Sequence, residues 1–414
     1  MTDNSRHSCR LCGAVLSRTF VDLGVTPLAN SYLDESDLAK GETFYPLRVF
    51  VCDDCFLVQL PVHAAPETIF DEYAYFSSYS DSWVEHARRY VEATVERFGL
   101  DESSRVVEIA SNDGYLLRFF VDRGITATGI EPSANVAAAA AAHGIPTIVD
   151  FFGKGLADRI VDEQGRANLV VGNNVLAHVP DLHDFVEGVH ALLAPDGVVT
   201  MEFPHLLRLM AEKQFDTIYH EHFSYLSLLA VERLFGEHGL RLFDLDELST
   251  HGGSLRIYAC LADADRDGES DSLAAVRLAE HEAALDRSTG YDGFEQAVRQ
   301  VKGDLLSFLL DAKREGKSIV GYGAAAKGNT LLNYCGIRSD FLDYVVDRSP
   351  HKQGCFLPGT HLKVLPPDEI RRTRPDLILV LSWNLADEIA EQMRDVRDWG
   401  CRLVVPIPEV RVLD

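Results

Sequence analysis

Short apolar runs alternate with helical patterns from residue 105 to about residue 260. This alternation is typical of β-α-β units, and it predicts an α/β fold with a parallel, doubly wound sheet. Two later apolar runs should close the sheet as further strands. The predicted strands lie at 105–109, 126–130, 146–149, 168–172, 197–203, 240–245 and 254–261, and the predicted helices lie at 114–122, 133–143 and 182–193.

A second α/β pattern occupies the C-terminal third of the chain. It follows a charged linker, 263–272, and a helical segment over 273–314. Its first strand runs into a glycine-rich turn, with a helix from about Thr330. The predicted strands lie at 318–322, 342–346, 376–381 and 402–406. The chain should therefore form three domains: an N-terminal domain over 1–75, a central domain over 76–262 and a C-terminal Rossmann-like domain over 263–414.

Four of the eight cysteines form two C-x-x-C pairs near the N-terminus, Cys9 with Cys12 and Cys52 with Cys55. Each pair offers two thiolates to a tetrahedral ion, so the pattern predicts a closed, structural zinc site. Disulfide pairing is the alternative, and a cytoplasmic chain disfavours it. Because the surrounding sequence has little periodicity, we expect the metal to replace a hydrophobic core in this domain.

The composition narrows the class of protein and its partners. Hydrophobic residues make up 46% and charged residues 25% of the chain, as in ordinary soluble proteins. No apolar run approaches the ~20 residues that span a bilayer, and the polar N-terminus lacks the apolar core of a signal peptide. We therefore expect a cytoplasmic protein with no membrane partner. The net charge of −25 argues against nucleic acid, whose phosphates need a positive surface.

The turn after the first central strand is acidic and marked by glycine. It reads Glu108-Ile109-Ala110-Ser111-Asn112-Asp113-Gly114-Tyr115. About 20 residues later the next strand ends in Glu131, a suitable acceptor for two ribose hydroxyls. Dinucleotide sites have glycines where this turn has Glu108 and Ala110, because a pyrophosphate must approach the helix. The carboxylates favour a ligand with positive charge, S-adenosylmethionine (SAM) rather than NAD; a turn without a ligand is the alternative.

Two later pairs of residues on the same sheet edge fit the same ligand. Asp150 and Phe151 follow the third strand, where an acid and an aromatic ring could meet an adenine. Asn173 and Asn174 close the fourth strand, at the edge where parallel sheets bind ligands. Each signal is weak alone, and their order strand by strand strengthens the prediction.

The densest group of titratable side chains is Tyr219-His220-Glu221-His222, beyond the fifth strand. His178 follows the fourth strand and should lie near the same edge. Imidazole is the natural proton acceptor near neutral pH, and a neighbouring carboxylate or phenol can orient it. This pattern favours a general base; a buried hydrogen-bond network is the main alternative. A metal site is disfavoured, because the spacing does not match H-E-x-x-H.

Two further segments carry polar side chains of interest. The segment from Phe70 to Tyr79 is rich in tyrosines and hydroxyls, which could line a pocket or simply pack at a domain junction. In the C-terminal domain, the turn from Gly321 to Asn329 could bind a phosphate through backbone N–H groups, with Lys327 supplying a charge. Asp347, after the following strand, is similar to the ribose acid of a dinucleotide site.

Five motifs occur together in one order along the chain. They are the two cysteine pairs, the Glu108–Gly114 turn, Gly129-Ile130-Glu131-Pro132, Tyr219-His220-Glu221-His222-Phe223-Ser224-Tyr225 and the Gly321–Asn329 turn. In this combination the chain resembles the SAM-dependent sugar C-methyltransferases of antibiotic biosynthesis, such as the enzyme making tetronitrose, over essentially its whole length. The resemblance implies a dTDP-linked 4-keto-deoxysugar as substrate, SAM as cofactor and a structural zinc ion. We expect a monomer or a weak homodimer.

The motifs and the resemblance together give an expected site. His222 would be the catalytic base, and the other expected catalytic side chains are Tyr73, His178, Tyr219 and Glu221. The expected cofactor contacts are Tyr75, Glu108, Ala110, Asn112, Gly114, Tyr115, Glu131, Pro132, Asp150, Phe151, Asn173 and Asn174. The expected substrate contacts are Tyr73, Ser77, His178, Tyr219, His222, Lys327 and Asn329.

In the expected reaction, His222 removes the proton next to the ketone, and the enolate carbon attacks the methyl group of SAM. Tyr73, Tyr219 or His178 could stabilise the enolate oxygen, and no metal is needed. Methylation at C-3 is favoured, and C-5 methylation of a 4-keto-6-deoxysugar is an alternative. An NAD-dependent oxidoreductase using the C-terminal sheet is a rival that leaves the acids of the first sheet unexplained.

Overall fold

A computed structural model of the protein describes residues 7–70, 76–266 and 268–413. The N-terminal part is built from antiparallel strands, and a long helix leads from it into the central part. Its elements are β1 (Arg18–Thr26), β2 (Tyr45–Val51), β3 (Val58–Gln59), α1 (Pro66–Phe70) and α2 (Asp81–Phe98).

The central part alternates strands and helices, as the hydrophobic pattern predicts. Its elements are β4 (Arg105–Ile109), α3 (Arg118–Val121), β5 (Thr126–Ile130), α4 (Ala134–Ala142), β6 (Thr147–Ile148), α5 (Lys154–Gln164), β7 (Ala167–Asn173), α6 (Leu182–Leu192), β8 (Leu193–Pro204), α7 (Leu206–Ala211), β9 (Ser224–Tyr225), α8 (Leu228–Glu237), β10 (Leu240–Leu248) and β11 (Ser254–Leu261). Short 3₁₀ turns at Leu176–His178, Phe215–Thr217 and Thr250–Gly252 interrupt the connections.

The C-terminal part contains α9 (Asp271–Glu282), α10 (Phe294–Arg314), β12 (Ile319–Tyr322), α11 (Ala326–Cys335), β13 (Val345–Val346), β14 (Val364–Leu365), α12 (Asp368–Thr373), β15 (Leu377–Val380), α13 (Ala386–Gln392), β16 (Arg402–Val405) and β17 (Arg411–Leu413). Its sheet has the order β14-β13-β12-β15-β16-β17, parallel except for β17. None of the helices in the described ranges combines the length and hydropathy that a bilayer-spanning segment requires.

The central sheet is the doubly wound sheet that the sequence predicts. Its strand order is β10-β11-β8-β7-β4-β5-β6, and β11 is antiparallel to both of its neighbours while the pairs from β8 to β6 are parallel. Helices cover both faces, so the inner strands β4 and β7 are almost entirely buried. The order of connection reverses between β4 and β7, and ligands of such sheets bind at the carboxyl edge of this point.

The N-terminal strands share a core with the C-terminal helices. They form a sheet of order β1-β2-β3-β9, which takes its last strand from the central part. Phe20 of β1 stacks on Phe294 of α10 with ring centroids 4.5 Å apart, and Val21 and Leu47 lie in one buried cluster with Leu305. The expectation that metal replaces a core here is therefore wrong. The core is completed by a distant part of the chain, which local periodicity does not reveal.

Other differences concern the ends of elements. The helix predicted over 114–122 is reduced to α3, because Asn112 and Gly114 take positive φ angles of 49° and 75° and lengthen the turn. The segment predicted as helical over 273–314 breaks between α9 and α10, where Ala284 and Gly293 have φ of 62° and 85°. The C-terminal turn is shorter than predicted, since α11 begins at Ala326.

Candidate active site

A cavity of about 500 Å³ opens at the carboxyl edge of the central sheet. All three parts of the chain line it, with Asn30 from the N-terminal part and Lys327 and Lys352 from the C-terminal part. The predicted site residues that line it are Ser77, Ala110, Asn112, Tyr115, Glu131, Pro132, Asp150, Phe151, Asn173, Asn174, His178, Tyr219, His222 and Lys327. Tyr73 and Tyr75 lie outside the described residues.

Glu131, at the end of β5, is held by the turn that follows β4. Its Oε2 accepts a hydrogen bond from the Asn112 N–H at 3.1 Å, and its Oε1 accepts one from the Ser133 N–H at 2.8 Å. Burial raises the pKa of this carboxyl group, although the hydrogen bonds oppose the shift. Each carboxylate oxygen can accept a second hydrogen bond, so Glu131 can receive the two hydroxyls of a ribose at the cavity wall.

The same turn packs closely against β5 at the cavity wall. Ala110 has a positive φ of 58°, and a Cβ on Gly129 of β5 would lie 2.9 Å from the Ser111 Cβ. Ser77 is tied to the turn, because its N–H donates to Asn112 Oδ1 at 2.8 Å. The acidic wall and the close approach of backbone fit SAM, whose sulfonium is positive.

Glu108 and Gly114, two expected cofactor contacts, do not line the cavity. Glu108 is fully buried in β4, and its carboxyl oxygens have no hydrogen-bond partner among the described residues. Burial raises its pKa well above the ordinary value, and the charges of Asp113 and Glu131 add to the shift. Gly114 shapes the turn, since a Cβ there would lie 2.8 Å from Ile145 Cγ1. Direct cofactor contact by these two residues is therefore not supported.

The residue pairs that follow the third and fourth strands of the central part, Asp150-Phe151 and Asn173-Asn174, line the cavity. Asp150 forms an ion pair with Arg159 at 2.9 Å, and Phe151 is 42% exposed at the cavity rim. Asn173 Oδ1 and Asn174 Oδ1 are buried without a hydrogen-bond partner in the described part of the chain. Two unpartnered amide oxygens at a cavity wall are suited to donors on a ligand.

His222 has one ring nitrogen committed to the backbone. Its Nδ1 lies 2.8 Å from the carbonyl oxygen of Thr217, and because a carbonyl only accepts, Nδ1 must carry the proton. The other nitrogen, Nε2, is then the basic one. Burial lowers the pKa of His222 well below its ordinary value, and the nearby His178 adds to this effect. His222 is therefore a neutral imidazole with a basic Nε2 at neutral pH.

The side chains around His222 form a compact cluster. The ring of Tyr219 lies 4.0 Å from that of His222, and the ring of His178 lies 4.7 Å from it, measured between centroids. Burial lowers the pKa of His178 to about 4. Glu221 does not line the cavity, but its Oε1 accepts a hydrogen bond from Asn30 Nδ2 at 2.6 Å. Glu221 thus holds a cavity-lining residue of the N-terminal part.

The sequence predicts site roles for three C-terminal residues, Lys327, Asn329 and Asp347, and the structure places them differently. Lys327 lines the cavity, as expected. Asn329 does not line the cavity, since the residue is only 2% exposed. Its Nδ2 donates to the Ala29 carbonyl at 2.6 Å, so Asn329 anchors the segment that carries Asn30. Asp347 is not placed as a ribose acid, because it does not line the cavity; its carboxylate accepts the Ala324 and Ser349 N–H groups at 2.7 and 2.8 Å.

Several cavity residues escaped the sequence analysis, namely Asn30, Trp83, His251 and Lys352. His251 has a positive φ of 52°, and its Nε2 lies 3.3 Å from Asn174 Nδ2. Its neighbours Gly252 and Gly253 were a usable signal, because paired glycines after a histidine mark an unusual turn. The others carry no local signal, since they come from segments far from the motifs.

The four predicted metal ligands converge in the N-terminal part, away from the cavity. The sulfur atoms all lie within 4.8 Å of one another, with Cys9 and Cys55 3.4 Å apart and Cys12 and Cys52 3.5 Å apart. A tetrahedral zinc ion with Zn–S bonds of about 2.3 Å places its sulfurs about 3.8 Å apart. The four cysteines therefore fit a closed structural zinc site.

The doubly wound sheet, with Glu131 and His222 lining one cavity at its carboxyl edge, has the architecture of a SAM-dependent methyltransferase. Three family models match in series: a zinc binding domain over residues 9–70, a methyltransferase domain over 83–245 and a C-methyltransferase C-terminal domain over 249–408. Over 405 residues the chain is 37% identical to the C-methyltransferase NovU of Streptomyces niveus, covering 98% of this chain and 96% of NovU. The chain belongs to this family of SAM-dependent C-methyltransferases.

This membership decides against the NAD-dependent oxidoreductase, because the C-terminal sheet falls within the C-methyltransferase match. Two solved methyltransferase structures each match less than half of this chain. The CcbJ methyltransferase from Streptomyces caelestis is 12% identical, covering 48% of this chain and 100% of its own, with a TM-score of 0.37. The magnesium protoporphyrin IX methyltransferase from Synechocystis PCC 6803 is 16% identical, covering 43% of this chain and 81% of its own, with a TM-score of 0.32. With scores this low, these likenesses carry no argument about substrate.

Proposed function

We propose that the protein methylates a ring carbon of a dTDP-linked 4-keto-deoxysugar, with C-3 as the site of methylation. The observation that carries this proposal is the position of His222, a neutral imidazole whose basic Nε2 belongs to the same cavity as Glu131. Methylation of carbon next to a ketone needs such a base, because the carbon becomes nucleophilic only after it loses a proton.

His222 acts first in this proposal. Its Nε2 takes the proton from the carbon beside the ketone. The pair of the broken C–H bond forms a carbon–carbon double bond, and the π pair of the ketone moves onto its oxygen. Thr217 keeps the imidazole in the correct tautomer through the hydrogen bond at Nδ1. Tyr219 and His178, packed on the imidazole ring, exclude water from it and restrict its orientation.

The cofactor is assigned to the acidic side of the cavity. When bound, SAM supplies the electrophilic methyl group that the enolate carbon accepts. Glu131 receives the ribose hydroxyls, and Asp150 and Phe151 border the adenine. Asn112, Tyr115, Pro132, Asn173 and Asn174 line the remainder of this side.

The substrate is assigned to the C-terminal side, where Lys327 and Lys352 line the wall. A chain of net charge −25 repels an anionic sugar nucleotide at long range, so local cations must offset its charge. Ser77, with Tyr73 nearby in sequence, is assigned to the sugar. Asn329 contributes indirectly through the segment that carries Asn30. We propose the three units as domains bounded near residues 76 and 263, in a monomer or weak homodimer.

The experiment that tests the proposal is methyl transfer from SAM with a carbon-13 methyl group to a panel of dTDP-4-keto-deoxysugars. Nuclear magnetic resonance of the product locates the label. We expect the labelled carbon to be bonded to C-3. Label on C-5 would replace the C-3 assignment, and label on oxygen or nitrogen, or no transfer to any sugar nucleotide, would refute the proposed function.

A further inference from the structure

Lys327 is a cation at the wall of the active-site cavity. It lies in the first turn of α11, and its Nζ donates to Asn384 Oδ1 at 2.7 Å and lies 4.9 Å from the centroid of the Trp383 ring. Within the described residues, no carboxylate oxygen lies within 4.0 Å of this Nζ. A partly buried ammonium in this state gains most from an anionic oxygen delivered by a ligand.

The other cavity side chains are less suited to carry positive charge. Lys352 lies 4.0 Å from Asp347 Oδ2 and donates to the Ala324 carbonyl at 2.8 Å, so its charge is already offset. Burial lowers the pKa of His178 and of His251 to about 4, so both are neutral at neutral pH. Burial and the charge of His178 lower the pKa of His222, and the charge of Lys327 makes a smaller contribution in the same direction.

Lys327 and His222 are supported by one short segment, residues 215–218. Asp216 is fully buried there and accepts a hydrogen bond from Trp383 Nε1 at 2.7 Å, beneath the ring that Lys327 covers. The next residue, Thr217, fixes the His222 ring. Thr330 of α11 donates to the carbonyl of Ile218 at 3.1 Å and ties this segment to the helix that carries Lys327. The base and the cation are therefore held at a fixed separation.

We propose that Lys327 is a catalytic residue that donates a hydrogen bond to the substrate's ketone oxygen as it becomes an enolate, and that Asp216 is a positioning residue for that ammonium. Enolisation needs a base at one carbon and a charge stabiliser at the oxygen of the next, and this arrangement supplies both. The C–H electron pair forms a carbon–carbon double bond, the π pair of the ketone moves to its oxygen, the proton goes to His222, and Lys327 keeps its own proton. This inference rests on the proposed function and replaces the diphosphate role expected for Lys327.

The first test uses Lys327→Met and measures exchange of the sugar's α-hydrogen with deuterated water in the presence of S-adenosylhomocysteine, which cannot donate a methyl group. We expect exchange and kcat to fall by roughly 10²–10³, the usual cost of losing one stabiliser of an oxyanion, with the sugar-nucleotide KM changed less than about threefold. Lys327→Arg, which keeps the charge, should retain more exchange than Lys327→Met. The comparison variant is Lys352→Met, which removes the other lysine and should raise KM more than it lowers kcat.

The outcomes separate the two proposals. If the wild-type protein neither exchanges the α-hydrogen nor methylates carbon, the proposed function fails. If the wild type does both and Lys327→Met raises KM while keeping kcat and exchange, Lys327 binds the diphosphate and the inference is wrong. Melting followed by circular dichroism and SAM titration by calorimetry show whether Lys327→Met is folded. If it is not folded, Lys327→Arg is compared with the wild type instead. Unchanged exchange with a raised KM in Lys327→Arg would overturn the inference.

Asp216→Asn tests the positioning role, because it keeps an acceptor for Trp383 and removes the charge. The titratable groups that interact electrostatically with Lys327 are Asp216, His222 and His251, and Lys352 lines the same cavity. Burial lowers the pKa of Lys327, and the charge of Asp216 opposes this shift, so the loss of Asp216 should move the alkaline fall in kcat to lower pH. If Asp216 has only a structural role, Asp216→Asn should lower kcat without shifting the pH of its alkaline fall. That result would exclude Asp216 as a positioning residue for Lys327.

Discussion

His222 combines a fixed tautomer with a pKa that burial holds well below the ordinary value. Only the neutral imidazole can accept a proton, and a lowered pKa means that it stays neutral as the pH falls through 6.5. We therefore expect kcat/KM to remain on its plateau from pH 8 to about pH 6 and to fall only at lower pH. An acid limb centred near pH 6.5 would mean that the base is an ordinary, solvated histidine. Circular dichroism at each pH checks that the protein stays folded.

Glu131→Ala tests the other end of the cavity. The carboxylate organises the turn through Asn112 and Ser133, and it is the proposed acceptor for two ribose hydroxyls. Its loss should weaken SAM binding by roughly 1–3 kcal/mol in calorimetry, the value of charged hydrogen bonds. Glu96→Ala, an exposed position on α2, serves as the control. Equal affinities for the two variants would show that Glu131 has no part in binding SAM.

At the scale of the elements, the central strands were the most predictable part. β4 and β5 begin and end where the sequence predicts, because short apolar runs buried on both faces have no other stable arrangement. β1 was not predicted, since irregularities in its pairing break the alternation of buried and exposed residues. β2 was also missed, although its buried residues alternate with more exposed ones and were a usable signal. α8 was also missed, although Ser227, which caps it through the Ala230 N–H, was a usable signal.

Gly129→Ala tests the contact between β5 and the turn at residues 110–114, which follows β4. The new Cβ would lie 2.9 Å from the Ser111 Cβ, and both residues are in tightly packed backbone. We expect a loss of about 1–3 kcal/mol in the free energy of unfolding, the usual cost of overpacking, together with weaker SAM binding because the turn must move. Gly155→Ala is the matched control, since nothing lies within 4 Å of its added Cβ. If the two variants melt alike, the turn is not packed against β5 as described.

At the scale of the whole molecule, the cavity is formed by segments that are remote in sequence. The strand-end acids and the histidine cluster were predictable, because parallel strands bring their carboxyl ends to one edge. Asn30 and Lys352 were not, since each reaches the cavity only through packing between parts of the chain. Asn329 illustrates the limit: its motif was found, but its side chain supports Ala29 instead of facing the cavity.

The zinc site should stabilise more than the N-terminal part. Leu11 and Leu57, beside the ligands, belong to the buried cluster of the central domain, and the Leu11 carbonyl lies 2.8 Å from His183 Nε2 on α6. Cys9→Ser should therefore lower the zinc content and the melting temperature of the whole chain. Cys355→Ser, at a half-buried thiol outside the cluster, should leave both unchanged. A native protein that is fully folded without zinc would contradict this expectation.

The central claim is that His222 removes the proton beside a ketone before the methyl group is transferred. The most direct measurement is the exchange of that hydrogen with deuterated water, followed for wild type and His222→Asn with a dTDP-4-keto-deoxysugar and S-adenosylhomocysteine. Asparagine keeps a hydrogen-bonding side chain of similar size and removes the base. The account predicts rapid exchange in the wild type and a loss of roughly 10²–10⁴ in the variant, with both ligands still bound. Exchange that survives intact in His222→Asn would contradict it and would assign the base to another residue, with His178 and Tyr219 the first to test.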